Sequence, residues 1–275
     1  QFTTYRVRPT SGTEFLYSRH FPEEVQGDFL ICNTIGFLGI KQHKVWEDGA
    51  GFTGELRQDM LYSDDPNFRP CEIETAPDGS LYILDWHNPL IGHMQHSARD
   101  PNRDHDHGRI YRITYPSRPL LEPAKIDGQP LAKLFENLKS PEYRTRYRTR
   151  REIRGHEVSE VIPAIQRWAA QLDKRDPDYN RNLLEALWVT WAQNQVDEGL
   201  LNQCLSSDSH QVRSAAVRVL RYAWRQVDDY ARLFMTAAGD EHPRVRLEAI
   251  VAGSWLDSEV GARIAVEGMK HEITR

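Results

Sequence analysis

The sequence predicts a two-part protein, in which short β-strands come first and stacked pairs of α-helices follow. Up to residue 116, short runs of β-branched and aromatic residues alternate with turn residues such as Asp, Asn, Gly and Pro. From Leu131 onward, apolar residues recur at spacings of three and four, which is the period of an amphipathic helix. A cluster of prolines separates the two patterns. The fold class is therefore multidomain, β and then α.

The β-rich part contains eight short runs with strand character. Asp78 and Gly79 stand between two of them and predict a tight hairpin turn. Short strands at regular spacing are typical of a sandwich, a barrel or a propeller, and the pattern alone leaves these three open. The predicted strands are Thr4–Val7, Phe15–Ser18, Phe29–Asn33, Gly39–His43, Leu56–Leu61, Cys71–Ala76, Leu81–Asp85 and Arg109–Thr114.

A proline-rich linker is predicted over residues 117–130. Pro116, Pro119, Pro123 and Pro130 interrupt both helical and central-strand structure. We therefore expect a β domain over residues 1–116 and a helical domain over residues 131–275. Within the helical part, Pro141 is predicted at the first position of one helix and Ser159 as the N-cap of another.

The helical part repeats itself. Val212-Arg-Ser-Ala-Ala-Val finds an echo in Val245-Arg-Leu-Glu-Ala-Ile, 33 residues later when counted from 212 to 245. A fainter copy begins at Thr145-Arg146. Periods of this size indicate stacked helix pairs, and the V-R-x-x-A pattern at a helix start is typical of HEAT repeats. We predict an α-solenoid of about four HEAT-like pairs.

Charge, cysteine content and hydropathy exclude few classes of protein. The formal net charge of −5 and the pI near 6.1 give no general reason to expect nucleic acid as a partner. The three cysteines are far apart and form no CxxC motif, so at most one internal disulfide can form, and we expect buried thiols. No apolar stretch approaches the ~18 residues of a membrane span. The chain opens without Met or a signal peptide, and we expect it to be part of a longer polypeptide.

The most distinctive segment is a polar loop between the last two predicted strands. Five of the eleven histidines fall between His87 and His107. His93 and His96 have HxxH spacing. Farther along, aspartate and histidine alternate over Asp104, His105, Asp106 and His107. A loop this long within a compact domain is usually functional or disordered, and its interleaved apolar residues argue against disorder.

Three interpretations of this loop remain open. Asp104, His105, Asp106 and His107 could ligate a metal, because imidazole and carboxylate suit Zn, Cu, Fe or Ni. An EF-hand is excluded, since His105 replaces the required glycine and Tyr111 the final glutamate. Alternatively the loop lines a substrate or quinone pocket, with His93, His96, Arg99 and Arg103 as catalytic candidates. In the third interpretation Asx turns and Arg–Asp pairs simply stiffen the loop.

Two further patterns are assigned to structure. The arginine-rich run over residues 144–154 is interpreted as a solvated or interdomain face that pairs with the acidic β-rich half. Anion or nucleic-acid binding is the alternative, and it is disfavoured because the run is short and lacks a wider basic surface. Tryptophans of the helical part fall at helical spacing, so we expect them to pack in the core or between repeats. They are Trp168, Trp188, Trp191, Trp224 and Trp255.

Two long segments resemble a known family. Residues 14–45, EFLYSRHFPEEVQGDFLICNTIGFLGIKQHKV, and residues 68–120, which begin FRPCEIETAPDGSLYILDWHNPL, resemble the closing part of the β-propeller in planctomycete-type large membrane-bound dehydrogenase-like proteins. YRTRYRTRREI, residues 143–153, is similar to the first HEAT repeat of that family. The resemblance implies terminal propeller blades followed by HEAT-like repeats. At ~40–45 residues per blade, residues 1–116 hold fewer than three blades and cannot close a propeller.

The resemblance also implies a function. It points to a large extracytoplasmic oxidoreductase, periplasmic and membrane-associated through other segments, whose propeller is similar to quinone-dependent glucose/sorbosone dehydrogenases. Pyrroloquinoline quinone or Ca²⁺ would be its cofactors and a sugar or polyol its substrate. Upstream blades and a downstream cytochrome c domain of the same polypeptide would be partners, and haem c would bind outside this segment, which lacks CxxCH. The alternative is a non-catalytic propeller/HEAT module that recognises glycans or partner proteins.

Overall fold

The computed structural model describes residues 8–90 and 99–271. The chain divides into two compact units. The first consists of Gln1–Trp46, Phe52–Ala124 and Pro141–Arg144, and the second of Glu47–Gly51, Lys125–Ser140 and Thr145–Arg275. The described strands are antiparallel and come first in the chain, and the α-helices follow.

Two open antiparallel sheets make up the β region. In the first sheet the strand order is β1-β2-β3-β4, and the short β5 pairs with β3. In the second sheet the order is β6-β7-β8. Along the path β1-β2-β3-β4 and in the second sheet, neighbouring strands follow one another in the chain, and their connections range from the two residues between β3 and β4 to the long polar loop between β7 and β8. The strands are β1 (Arg8–Leu16), β2 (Asp28–Ile35), β3 (Gly39–Asp48), β4 (Gly51–Leu56), β5 (Leu61–Tyr62), β6 (Pro70–Thr75), β7 (Leu81–Asp85) and β8 (Arg109–Ile113).

Most predicted strands are present, with two exceptions. The predicted Leu56–Leu61 strand is wrong, because β4 ends at Leu56 and β5 begins only at Leu61. The predicted Thr4–Val7 strand lies outside the described residues. The predicted hairpin is confirmed between β6 and β7, where Gly79 adopts φ +83° and the amide of Ala76 donates to the carbonyl of Ser80 at 2.8 Å. Only glycine adopts that φ without strain.

One apolar core lies between the two sheets. Side chains of β1, β2, β3, β6 and β7 point into it, and along β7 they alternate with exposed ones, as the period-2 geometry of a strand requires. The buried members are Leu16, Phe21, Leu30, Cys32 and Ile40 from the first sheet and its flanks, and Ile73, Leu81 and Ile83 from the second. The residues that alternate with them leave apolar side chains on the outward faces, namely Phe15, Ile35, Tyr82, Leu84 and Ile110.

The second unit is built from helices, and nine are present in the described part of the chain. Their apolar faces form one continuous buried cluster that extends from Leu134 to Ile264. The helices are α1 (Leu131–Asn137), α2 (Tyr143–Ile153), α3 (Val158–Ala170), α4 (Tyr179–Ala192), α5 (Glu198–Leu205), α6 (His210–Ala223), α7 (Tyr230–Ala238), α8 (Pro243–Gly253) and α9 (Ser258–Met269). None of the described helices is long and apolar enough to cross a membrane.

Helices α2, α6 and α8 correspond to the three copies of the sequence repeat. They begin at residues 143, 210 and 243, which reproduces the spacings of the sequence copies. In each, the arginine of the repeated pattern donates from Nη1 to the carbonyl six residues earlier, in the turn before its own helix. The pairs are Arg146 with Ser140 at 2.7 Å, Arg213 with Ser207 at 2.9 Å and Arg246 with Asp240 at 2.9 Å. The repeated arginine therefore holds each helix to the turn that precedes it.

Several local predictions for this region need correction. Helix α2 begins at Tyr143, so Pro141 lies before it, and α3 begins at Val158 with Glu157 at the N-cap, so Ser159 is inside the helix. Trp168 is buried, and Trp188, Trp191 and Trp224 pack against the core. Trp255 is 53% exposed and packs edge-on against Tyr222 of α6, with ring centroids 5.1 Å apart. Cys32 and Cys204 are buried free thiols as expected, whereas Cys71 is exposed. Burial raises the pKa of the Cys204 thiol to about 12.

Candidate functional site

The polar loop lies between the end of β7 at Asp85 and the start of β8 at Arg109. His93 and His96, the two histidines with HxxH spacing, lie outside the described residues. Arg99, Arg103 and the run 104–107 are described. The described parts of the loop are therefore its start, residues 86–90, and its second half, residues 99–108.

Asp104 organises the second half of the loop. Its carboxylate accepts hydrogen bonds from the backbone amides of Asp106 at 3.0 Å and His107 at 3.1 Å, and it lies 3.0 Å from the Nδ1 atom of His107. The Nε2 atom of His87 is 3.7 Å away. The hydrogen bond from the Asp106 amide is the main cause that holds the pKa of the Asp104 carboxyl below its usual range, followed by the His107 contacts.

A second turn precedes Asp104. The carboxylate of Asp100 accepts from the amide of Asn102 at 2.9 Å, and the amide of Arg103 donates to the Asp100 carbonyl at 3.0 Å. His105 places Nε2 3.3 Å from the same carbonyl. These contacts make an Asx turn, in which a short acidic side chain satisfies the backbone that follows it.

Arginines fasten the loop at its ends. Arg103 lies over the ring of Trp86 at 5.4 Å, a cation–π contact. Arg109 donates to the carboxylate of Asp65 at 2.7 Å and lies 3.0 Å from Nε2 of His87. The Arg109 hydrogen bond is the main cause that lowers the pKa of the Asp65 carboxyl. The loop is therefore tied to both neighbouring strands.

The four candidate metal ligands of the loop have different surroundings. Asp104 and His107 are brought together, whereas Asp106 contributes its backbone amide and His105 contacts the preceding turn. Within residues 8–90 and 99–271, no three or more His, Cys, Asp or Glu side chains are grouped so that they could hold a metal ion. The contacts that are described are of the kind required by the stiffening interpretation. The metal and substrate-pocket assignments remain predictions.

The β unit also contains a cavity that the sequence did not indicate. It has a volume of about 490 Å³. Apolar side chains from separate segments form part of its wall, including Leu16, Phe21, Val25, Met60 and Ile113. Its polar residues Gln42 and Arg57 both contact the buried carboxylate of Asp28, each at 2.6 Å. The cavity therefore combines an apolar wall with a polar part in which Arg57 and Asp28 form an ion pair.

The fold belongs to the class in which an antiparallel β region, here with two open sheets, is followed by α-helices. Residues 2–117 match the family model described as a domain of unknown function, DUF7133. The matched range contains all the described strands and ends shortly after β8. No curated protein and no solved structure matches the chain. The β region is therefore similar to a domain of unknown function, and the match covers less than half of the chain.

Proposed function

We propose that this chain is a segment of a large extracytoplasmic oxidoreductase. It supplies the last blades of a β-propeller and a solenoid of HEAT-like repeats. The completed propeller, similar to quinone-dependent glucose/sorbosone dehydrogenases, oxidises a sugar or polyol and passes electrons to a haem c domain elsewhere in the polypeptide. The protein works in the periplasm.

The observation that carries this proposal is the arrangement of the two sheets. The path β1-β2-β3-β4 and the sheet β6-β7-β8 are antiparallel meanders, and a propeller blade is also a small antiparallel meander, which supports the proposal. Their inner faces share a core, and their outer faces keep apolar side chains such as Tyr82, Leu84 and Ile110. An unpaired apolar face is costly for a protein that works alone. Upstream blades of the same polypeptide would cover such faces.

Support for HEAT-like repeats comes from the repeated arginine contact. Arg146, Arg213 and Arg246 occupy the same place in successive copies and make the same carbonyl contact. Arg213 additionally forms a two-pronged ion pair with the carboxylate of Asp240, at 2.8 and 2.9 Å. The carbonyl contact thus recurs within each copy, and the Arg213–Asp240 pair joins one copy to the turn before the next, as neighbour contacts in a stacked repeat array do.

The proposal is tested by assaying the parent protein for dye-linked oxidation of a panel of sugars and polyols, with and without added quinone and Ca²⁺. A His93→Ala/His96→Ala double variant should lose about 100-fold or more in rate, because general-base catalysis contributes at least that factor. A His156→Ala/His271→Ala variant, changed outside the loop, is the matched control. Absence of turnover across the panel would contradict the enzymatic role.

A non-catalytic recognition module is the second candidate, and the loop contacts favour it. The described polar groups of the loop, Asp100 and Asp104 above all, are engaged in holding the loop itself. In this proposal the propeller and the solenoid recognise glycans or partner proteins. An inactive parent protein that binds specific glycans on an array, with unchanged binding after the His93→Ala/His96→Ala substitution, would support it over the enzyme.

The metal assignment has its own test. Elemental analysis of the purified chain should detect Zn, Cu, Fe or Ni if Asp104, His105, Asp106 and His107 act as ligands. A sample that is folded by circular dichroism and free of metal would contradict the assignment.

A further inference from the structure

A groove on the surface of the helical unit combines aromatic rings with guanidinium groups. Its volume is about 380 Å³, within the range of small-molecule sites. Helices α2, α4 and α6 supply its walls, so residues far apart in sequence meet there. The lining residues are Tyr147, Arg150, Arg151, Arg154, Trp188, Trp191, Ala192 and Arg218.

The charges of the groove are only partly compensated. Arg150 pairs with the fully buried carboxylate of Glu185, and Arg218 pairs with Glu248. Arg151 and Arg154 are exposed, and the part of the chain that the structure describes places no carboxylate within 4.0 Å of either guanidinium. The groove therefore carries two positive charges that its own acidic residues do not neutralise.

The arginines of the groove lie at the C-terminal end of α2. Arg150 and Arg151 are in its last turn, and Arg154 directly follows its last residue, Ile153. Guanidinium groups this close together in the chain repel one another. A bound anion would relieve that repulsion, and the planar guanidinium is well suited to carboxylate, sulfate or phosphate oxygens.

The aromatic walls are held in place before any ligand binds. Trp188 and Trp191 are half-buried and pack against the helical core. Trp191 also stacks on Tyr222, with ring centroids 5.6 Å apart and an interplanar angle of 25°. Arg150 lies over the Trp188 ring at 5.1 Å. Rigid rings of this kind offer contact area at little cost in conformational entropy.

We propose that this groove binds a small anion that carries a flat or ring-shaped body. The anionic group pairs with Arg151 and Arg154, and the ring packs against Trp188 and Trp191. Aryl acids, nucleotides and acidic sugars share this chemistry. The site lies wholly in the helical unit and goes beyond the proposed oxidoreductase function, on which it does not depend.

The test is titration of the purified chain at low ionic strength, followed by tryptophan fluorescence and calorimetry. The probes are phenyl sulfate, adenosine monophosphate and glucuronate. Phenol, adenosine and glucose serve as neutral counterparts, and inorganic sulfate as the bare anion. At least one ring-bearing anion should bind 10-fold or more tightly than its neutral counterpart and than sulfate, and the one that binds identifies the source of the ligand.

Matched charge variants make the result specific to the groove. Arg151→Gln/Arg154→Gln should weaken binding at least 10-fold, whereas Arg167→Gln/Arg263→Gln, which removes two exposed charges from α3 and α9, should leave it unchanged. All four positions are exposed, so circular dichroism should show intact folding. Equal loss of binding in both variants, or no preference for the ring-bearing anions, would overturn the proposal. A decaglutamate peptide is titrated as an acidic polymer, and binding of that peptide alone would also overturn it.

Discussion

At the scale of single residues, buried titratable groups link stability to pH. His43 on β3 is fully buried, with Lys41, Asp59 and Asp28 as its charged surroundings. Burial is the main cause that lowers the pKa of the His43 imidazole from its ordinary value near 6.5. The folded protein therefore holds His43 neutral at a pH where the unfolded chain protonates it.

The sign of the pH dependence follows from this difference. His43 contributes stability that is fully present above the unfolded pKa and is lost as the pH falls below about 6.5. His43→Gln should show a smaller decline in the urea midpoint between pH 7.5 and pH 5.5 than the natural protein. His105→Gln, in the exposed loop, should decline as the natural protein does. Parallel curves for the natural protein and His43→Gln would contradict the assignment.

Asp240 has a comparable role in the helical unit. Its carboxylate binds Arg213 through both oxygens and accepts from the amide of His242 at 2.8 Å. Asp240→Asn removes the two-pronged ion pair and leaves the buried Arg213 only the longer carboxylate contact with Glu241 at 3.5 Å, so we expect a loss of about 1.5–3 kcal/mol in the free energy of unfolding. Arg232→Gln breaks an exposed pair with Asp229 and should cost less than about 1 kcal/mol. Denaturant unfolding measures both, and equal losses would exclude a special role for Asp240.

At the scale of elements, the β6–β7 hairpin depends on Gly79 for two separate reasons. Its φ of +83° disfavours a side chain, and an added Cβ would lie 2.6 Å from the Ser18 hydroxyl oxygen and 2.9 Å from Leu121 Cδ1. Gly36 has a similar φ of +78°, but no atom lies within 4 Å of the position its Cβ would take. Substitution of the two glycines by alanine therefore distinguishes the cost of a positive φ from the cost of crowding around the added Cβ.

Gly36→Ala should cost about 1–2 kcal/mol, the cost of the left-handed conformation alone. Gly79→Ala should cost about 1–3 kcal/mol more, because the crowded turn must also move. Thermal unfolding of the two variants gives the comparison. If Gly79→Ala were no less stable than Gly36→Ala, the close packing of the turn would be refuted.

At the scale of the whole molecule, the outward face of the second sheet is the feature that most needs a partner. Ile110 is 68% exposed and Leu84 43% exposed. If upstream blades complete a propeller, Tyr82, Leu84 and Ile110 should be labelled by hydroxyl radicals in the isolated chain and protected in the parent protein. Tyr62 on the edge strand β5, 65% exposed, is a reference for general accessibility. Equal labelling of the face in both samples would speak against added blades.

The sequence predicted the elements whose signals are local. Alternating apolar residues gave β7 its observed limits at Leu81 and Asp85, and Asp78-Gly79 indicated the hairpin. The repeat in the helical part predicted the spacing between α2, α6 and α8. Local prediction failed over Leu56–Leu61, because pairing with β3 decides which of those residues are extended.

Tertiary structure alone decided which side chains meet. The histidine-rich loop in the sequence identified Asp104 and His107 as candidates. The turn brings these two side chains together, and the end of β7 brings His87 close to Asp104. The sequence offered anion binding by the arginine-rich run only as a disfavoured alternative, and it did not predict that these arginines meet Trp188 and Trp191, since the walls of the groove come from segments spread over some seventy residues. Periodicity and turn chemistry depend on neighbours in sequence, so the chain itself determined its β and α elements. Sites depend on side chains that only packing brings together, and no local pattern records that packing.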